Sequence, residues 1–342
     1  MGVMVSALGM GKKSNKSRNK TRILVVKAKG GMGNRMMCAV TGILYGQLSG
    51  RKTIVDWRDE SYSNDGSNTF SRFFNAPQVF SETILPRNAT VFPNIWAGQL
   101  HKSMSVMLSE HDPNKHRSIF IHRKYSIDVR RLDYDEDIVV FWYYTGRIRA
   151  LKAHLRNSDR GFAGLDSDGI VRKVLLEQMK LSDEVRQRID DFKSAVDWPE
   201  KVIGVHIRYT DMRTNLAHYE RALRRFLQRE PNAHIFLATD NRQVSDDYHN
   251  RFKNVFSTPK WFPDSFSPMH QNSACPDRVL NGIEALVDMY LLADCDYLIY
   301  PGASTFSRLA RLLSNIPREN ITDIERFDPK VRLKRLIREL VA

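Results

Sequence analysis

Apolar and polar positions along this chain follow a rhythm that occurs twice. Ile23-Leu24-Val25-Val26 is a continuous apolar run of strand length. Gly30-Gly31-Met32-Gly33-Asn34-Arg35 interrupts it, and from Met36 to Leu48 apolar residues recur at helical spacing until Gly50. Thr53-Ile54-Val55-Asp56-Trp57 reads as the next strand. Strand, glycine loop, helix and strand in that order predict a parallel α/β unit. The rhythm restarts at Val202-Ile203-Gly204-Val205 and continues with a basic helix from Tyr219 to Gln228. The strand Ala233 to Ala238 and the short strand Val255-Phe256 come next. A helix from Glu284 to Ala293, the strand Tyr297 to Tyr300 and a helix from Phe306 to Leu313 complete it.

The stretch between the two rhythms is less periodic. Ser61 to Asn68 is turn-rich, Phe70, Phe73 and Phe74 suit a short helix, and Val91-Phe92, Ser118 to Ile121 and Ile138 to Tyr144 read as strands. Val171 to Val196 is helical, and Ser182-Asp183-Glu184 is a start signal that splits it into two helices before Pro199. Trp261 to Asp277 reads as an irregular loop. The expected division is a basic flexible tail over 1–21, an N-terminal Rossmann-like domain over 22–190, a C-terminal one over 191–325, and a last helix over 326–342.

At 342 residues the chain is long enough for two domains, and 42% hydrophobic with 27% charged residues is the balance of a soluble globular protein. Its net charge of +14 is uneven: residues 1 to 22 hold no acid, and the first acidic residue is Asp56. Such an excess suits an anionic ligand such as a nucleotide sugar, a nucleic acid or a membrane surface. Zinc-finger, RNP-type and bZIP patterns are absent, which speaks against nucleic acid. Cys38, Cys275 and Cys295 form no disulfide framework, so a reduced compartment, the cytoplasm, is expected. No apolar run has the length of a membrane span. Met1 to Ser6 fits the myristoylation pattern ahead of a basic stretch. The tail is read as solvated, with weak peripheral membrane association as the alternative.

Candidate chemistry gathers where the apolar runs end, as ligands of open α/β sheets sit beyond the carboxyl ends of strands. The strand from Val202 ends in His206, Arg208, Thr210 and Asp211; a surface ion pair and a core histidine are the plainer account. The glycine loop after Val26 matches neither the dinucleotide fingerprint nor the P-loop, yet lets backbone N–H groups approach a ligand. Pro301-Gly302-Ala303-Ser304-Thr305 leads into a helix and offers N–H groups and hydroxyls to a phosphate, or merely an N-cap. Asp240 follows Thr239 at a strand end. Asp288 lies within an apolar helix, where a carboxylate needs a partner. Trp96, Trp142, Tyr143 and Tyr144 can stack on sugars, with core packing the reading for most of them.

The segments VIGVHIRYTD, HIFLATDNRQV and ALVDMYLLADCDYLIYPGASTFSRLARLL, in that order, resemble the α1,6-fucosyltransferase family, on the side of its nodulation-factor members. GGMGNRMM followed by TIVDWRD adds to the resemblance, which covers most of residues 22 to 315. The family implies a GT-B architecture, two Rossmann-like domains facing a cleft. It implies GDP-fucose as donor, an oligosaccharide or glycan acceptor, and inversion at the anomeric carbon with no metal and no cofactor. By motif, Arg208 of His206-x-Arg208 corresponds to the donor-phosphate arginine. Asp240 and Asp288 match acids near the nucleotide, Ser304 and Thr305 fall in the segment that meets the diphosphate, and Arg308 follows them. Asn34 matches a loop asparagine.

Two departures stand out. Animal members carry a glutamate shortly after the arginine motif, whereas Arg213 to Ala217 holds no carboxylate; Asp211, then Glu220, are the substitutes as general base. Tyr209 stands where many relatives have a second basic residue. The expected function is an inverting fucosyltransferase, α1,6 first. The alternatives are an α1,2-type or protein O-fucosyl-type transferase, or a non-catalytic carbohydrate-binding relative.

Overall fold

The computed structural model describes residues 22–80, 88–114, 120–210, 213–263, 269, 272, 274–329 and 331–333. The basic tail over 1–21 and Asp211 lie outside the described residues. The expected C-terminal helix over 326–342 is described as far as Leu333, with residues 331–333 helical.

The first half contains β1 (Ile23–Lys27), α1 (Met32–Ser49), β2 (Lys52–Asp56), α2 (Phe70–Phe73), β3 (Phe74–Asn75) and β4 (Val91–Phe92). It continues with α3 (Met104–His111), α4 (His122–Tyr125), β5 (Ile138–Phe141), α5 (Ile148–Arg156), α6 (Ser167–Glu177), β6 (Lys180–Leu181) and α7 (Asp183–Ala195). Its main sheet has the order β2-β1-β5-β4, every pair parallel. The second half contains β7 (Val202–Ile207), α8 (Leu216–Arg229), β8 (His234–Thr239), α9 (Arg242–Arg251), β9 (Val255–Phe256), α10 (Arg278–Ala293), β10 (Tyr297–Tyr300), α11 (Thr305–Leu313) and β11 (Ile321–Asp323). Its sheet has the order β11-β10-β7-β8-β9, again parallel throughout, with Val205 registered between Leu237 and Ile299.

The inner strands β1, β5, β7 and β10 are buried along their whole length, so they read as largely apolar runs. Successive side chains still part to opposite sides. Ile203, Val205 and Ile207 pack with Tyr219, Leu223 and Phe226 of α8. Val202, Phe236, Ala238 and Leu298 face the other way, into a core that continues through α10, α11 and α6 to α1 and to Leu24 and Val26 of β1. One core therefore joins the two sheets, and this holds the carboxyl end of β1 against that of β10. The division expected at residue 190 falls inside α7, a helix begun by Ser182, whose side chain accepts from the Val185 N–H.

The structure corrects some local expectations. Of the strand expected over Ser118 to Ile121, Ser118 and Ile119 lie outside the described residues, and Phe120 and Ile121 form a turn into α4; Ile121 is buried while Phe120 is 61% exposed. The strand expected over Ile138 to Tyr144 stops at Phe141, because the Trp142 N–H turns to the Ser126 hydroxyl at 3.0 Å and leaves the ladder. α10 begins six residues before Glu284, capped by Asp277, which accepts from the Leu280 N–H at 2.8 Å. Trp96 and Trp142 are fully buried core residues. Tyr143 stacks on His122 at 3.7 Å, and Tyr144 lines the cleft described next.

Candidate active site

The carboxyl ends of β7, β8 and β10 open on a cavity of about 310 Å³ that the glycine loop after β1 closes from the other side. Arg208, the first residue after β7, lines it half-buried. Gly30 takes φ +86°, a left-handed conformation open to glycine at little cost. Arg35, fully buried, holds the loop from beneath: its Nε donates to the Gly30 carbonyl at 2.7 Å, and its guanidinium pairs with Asp59. Gly33, in the first turn of α1, lies against the start of α11. A Cβ there would stand 2.7 Å from the Phe306 nitrogen and 2.8 Å from the Thr305 carbonyl carbon. Only a residue without a side chain lets these two helix starts meet.

Two helix N-termini thus converge on the cavity beside a guanidinium. The first N–H groups of a helix have no partner within it and carry partial positive charge. Gly31 precedes α1 without a side-chain cap; Ser304 caps α11 by accepting from the Ser307 N–H. Asn34, Ser304 and Thr305 line the cavity. His206 also reaches it, but its Nδ1 shares a hydrogen bond with the Ser307 hydroxyl and its ring lies 4.8 Å from that of Phe306. Burial, and then the charges of Arg208 and Lys260, push its pKa down to about 3. His206 is therefore neutral near pH 7 and supports the start of α11.

The acids sit at the other end. Asp240, at the end of β8, accepts from the Tyr209 N–H at 2.7 Å and the Thr210 hydroxyl at 2.6 Å, which pins the chain immediately after Arg208. Asp288, 6% exposed, accepts from the Thr258 hydroxyl at 2.6 Å and forms an ion pair with Lys260. Lys260 supplies the partner that the sequence demanded without naming. Glu284, one turn earlier on α10, lines the same cavity. Burial raises its pKa to about 7 against the opposing pull of Lys260, and its Oε2 is buried without a hydrogen bond. Sequence reasoning missed Lys260 and Glu284. Glu284 had a signal, since Asn281, Glu284 and Asp288 recur at helical spacing and all three line the cavity.

Two expected residues lie elsewhere, and one is not described. Glu220 sits on α8, pairs with Arg251 of α9 at 2.7 Å and does not line the cavity. The helix that begins near it packs Tyr219 inward and turns the next position away. Arg308 leaves the cavity as well: with Arg311 it binds Asp168 of α6. It lines a second cavity of about 640 Å³, which shares Ser304 and Thr305 with the first. Asp211 falls outside the described residues.

Two parallel α/β units with a ligand-sized cleft at facing strand ends form the GT-B architecture expected from the sequence. The particular likeness is to nodulation protein Z. The family model "Nodulation protein Z (NodZ)" matches residues 165–333. Nodulation protein Z of Bradyrhizobium diazoefficiens is 25% identical over 326 residues, an alignment that covers 86% of this chain and 79% of that protein. Nodulation protein Z of Sinorhizobium fredii is 30% identical over 164 residues, covering 43% of this chain and 48% of that protein. Among solved structures, NodZ alpha-1,6-fucosyltransferase soaked with GDP-fucose superposes with a TM-score of 0.59 at 24% identity, covering 91% of this chain and 97% of that one. The resemblance to the α1,6-fucosyltransferases is thus borne out. No helix among the described residues is long and apolar enough to cross a membrane.

Proposed function

We propose that this protein transfers L-fucose from GDP-fucose to a hydroxyl of a glycan acceptor, with inversion at the anomeric carbon, without a metal ion, and with α1,6 linkage first in line. The observation that carries the reading is the convergence of Arg208 with the starts of α1 and α11 at one end of the cleft. When the bond between the sugar and the β-phosphate oxygen breaks, negative charge builds on that phosphate. A fixed guanidinium and preset N–H groups stabilise it in place of a cation. The acceptor hydroxyl attacks from the opposite face and gives its proton to a base. Asp211, three residues past Arg208, is the carboxylate we assign to that task. The NodZ structure soaked with GDP-fucose supports the choice of donor. The second cavity, bordered by α5 and α6 and sharing Ser304 with the first, suits the acceptor.

The test compares GDP with UDP in thermal-shift assays and measures transfer from labelled GDP-fucose on a glycan array, with linkage analysis of the product. GDP should stabilise the wild type and UDP should not. Arg208→Ala should weaken GDP by about 10-fold or more, the worth of a charged hydrogen bond. Transfer left intact in folded Arg208→Ala would refute the mechanism.

A further inference from the structure

α8 has two unlike faces. Tyr219, Ala222, Leu223 and Phe226 are buried against the second sheet. Arg221, Arg224, Arg225 and Arg229 are exposed on the other side, with exposed His218 one turn before Arg221. Residues three and four apart are neighbours on a helix, so Arg221 adjoins Arg224 and Arg225, and Arg225 adjoins Arg229. Like charges placed in this way repel and destabilise the helix. The nearby acids do not relieve them. Glu220 lies one turn before Arg224 yet pairs with Arg251 of α9, and Glu230 accepts from the Tyr297 hydroxyl at 2.8 Å. Among the described residues none of the four arginines forms an ion pair. Arg224 and Arg229 lie over the rings of Phe252 and Tyr297, at 5.7 and 5.8 Å, which settles two of the guanidiniums on the protein surface. α5 is also basic, but its Arg149 and Lys152 line the second cavity together with Asp166 and Asp168. The α8 face has no such balance.

The chain carries a second acid-free basic stretch, with Lys12, Lys13, Lys16, Arg18, Lys20 and Arg22, after a segment that fits the myristoylation pattern. An extended anionic surface engages both stretches at once, which a small anion cannot. The sequence also lacks the patterns of nucleic-acid-binding modules. Clustered basic residues on a helix suit the phosphates of lipid headgroups. We infer that the outer face of α8 docks on a membrane surface rich in anionic lipid. The apolar side of α8 is already used in the core, so the helix adsorbs through charge and does not insert. None of its arginines lines the cleft, so docking leaves the cleft open.

Flotation of the full chain with phosphatidylcholine vesicles, with and without phosphatidylserine, tests this. Wild type should bind the anionic vesicles alone and leave them as added salt screens the surface charge. Each arginine beside an anionic surface contributes about 5-fold, so Arg221→Gln together with Arg225→Gln should weaken binding about 30-fold. Glutamine is a good helix former and the change removes repulsion, so this variant should stay folded by circular dichroism. Arg156→Gln together with Arg160→Gln removes the same charge at the end of α5, where both residues are exposed, and should bind as wild type does. An α8 variant that binds like wild type, an equal loss in the α5 variant, or wild-type binding to neutral vesicles overturns the inference. So does a wild type that ignores anionic vesicles. A single-stranded RNA that binds wild type more tightly than the vesicles, and depends on Arg221 and Arg225, overturns it as well and assigns the face to nucleic acid.

Discussion

Replacing Gly33 with alanine perturbs the contact that closes the cleft. The new methyl group would stand 2.7 Å from the Phe306 nitrogen and 2.8 Å from the Thr305 carbonyl carbon, whereas ordinary contact begins at 3.4 Å. Both opposing atoms are backbone at the start of α11, so no side chain can rotate away, and α1 and α11 must separate by about 0.7 Å at the tightest point. Overpacking of this kind costs about 1–3 kcal/mol. At about 2–4 °C per kcal/mol in domains of ordinary size, Tm should fall by several degrees. The larger effect should be on the ligand, because the loop before α1 and the first residues of α11 line the same cavity. A misplacement near 1 Å can cost about 100-fold in rate. Scanning fluorimetry and GDP titration of Gly33→Ala read the two effects separately. Unchanged Tm together with unchanged GDP affinity would show that the two helix starts do not meet in solution.

Two further outcomes follow from buried charge. Lys260 and Asp288 have side chains only 4% and 9% exposed, so Lys260→Met strands a carboxylate and should cost about 3–5 kcal/mol in urea unfolding. The double change with Asp288→Leu should recover much of that loss, and a single variant as stable as wild type would contradict the pairing. His206 has a folded pKa of about 3, below its ordinary value of about 6.5. Its unfolded form therefore takes up a proton first, and its contribution to stability is complete above pH 6.5 and is lost as pH falls toward 3. At pH 5 the loss should be about 2 kcal/mol, measured as the difference in unfolding free energy from pH 7. An equal pH response in His206→Gln would refute this assignment.

The βα rhythm was legible because a strand buried on both faces is a short apolar run and a helix repeats its apolar positions every three to four residues, patterns that neighbouring residues carry among themselves. The same locality revealed Arg208 at a strand end, Ser304 as a helix cap, and Asp288 as a carboxylate in need of a partner. It failed where one residue answers another across the fold. Lys260 reaches Asp288 across 28 positions, and Arg251, not the cleft, receives Glu220. Asp168 draws Arg308 into a different cavity. Gly33 and Phe306 touch because one core binds α1 to α11, and Glu284 acquires its unpaired oxygen only when α10 packs beside β8. The sequence by itself determined which elements form and what chemistry each strand end offers. Only the tertiary structure decided which charges are neutralised and which remain for a ligand, because that depends on the order of strands and on distances that no local period encodes.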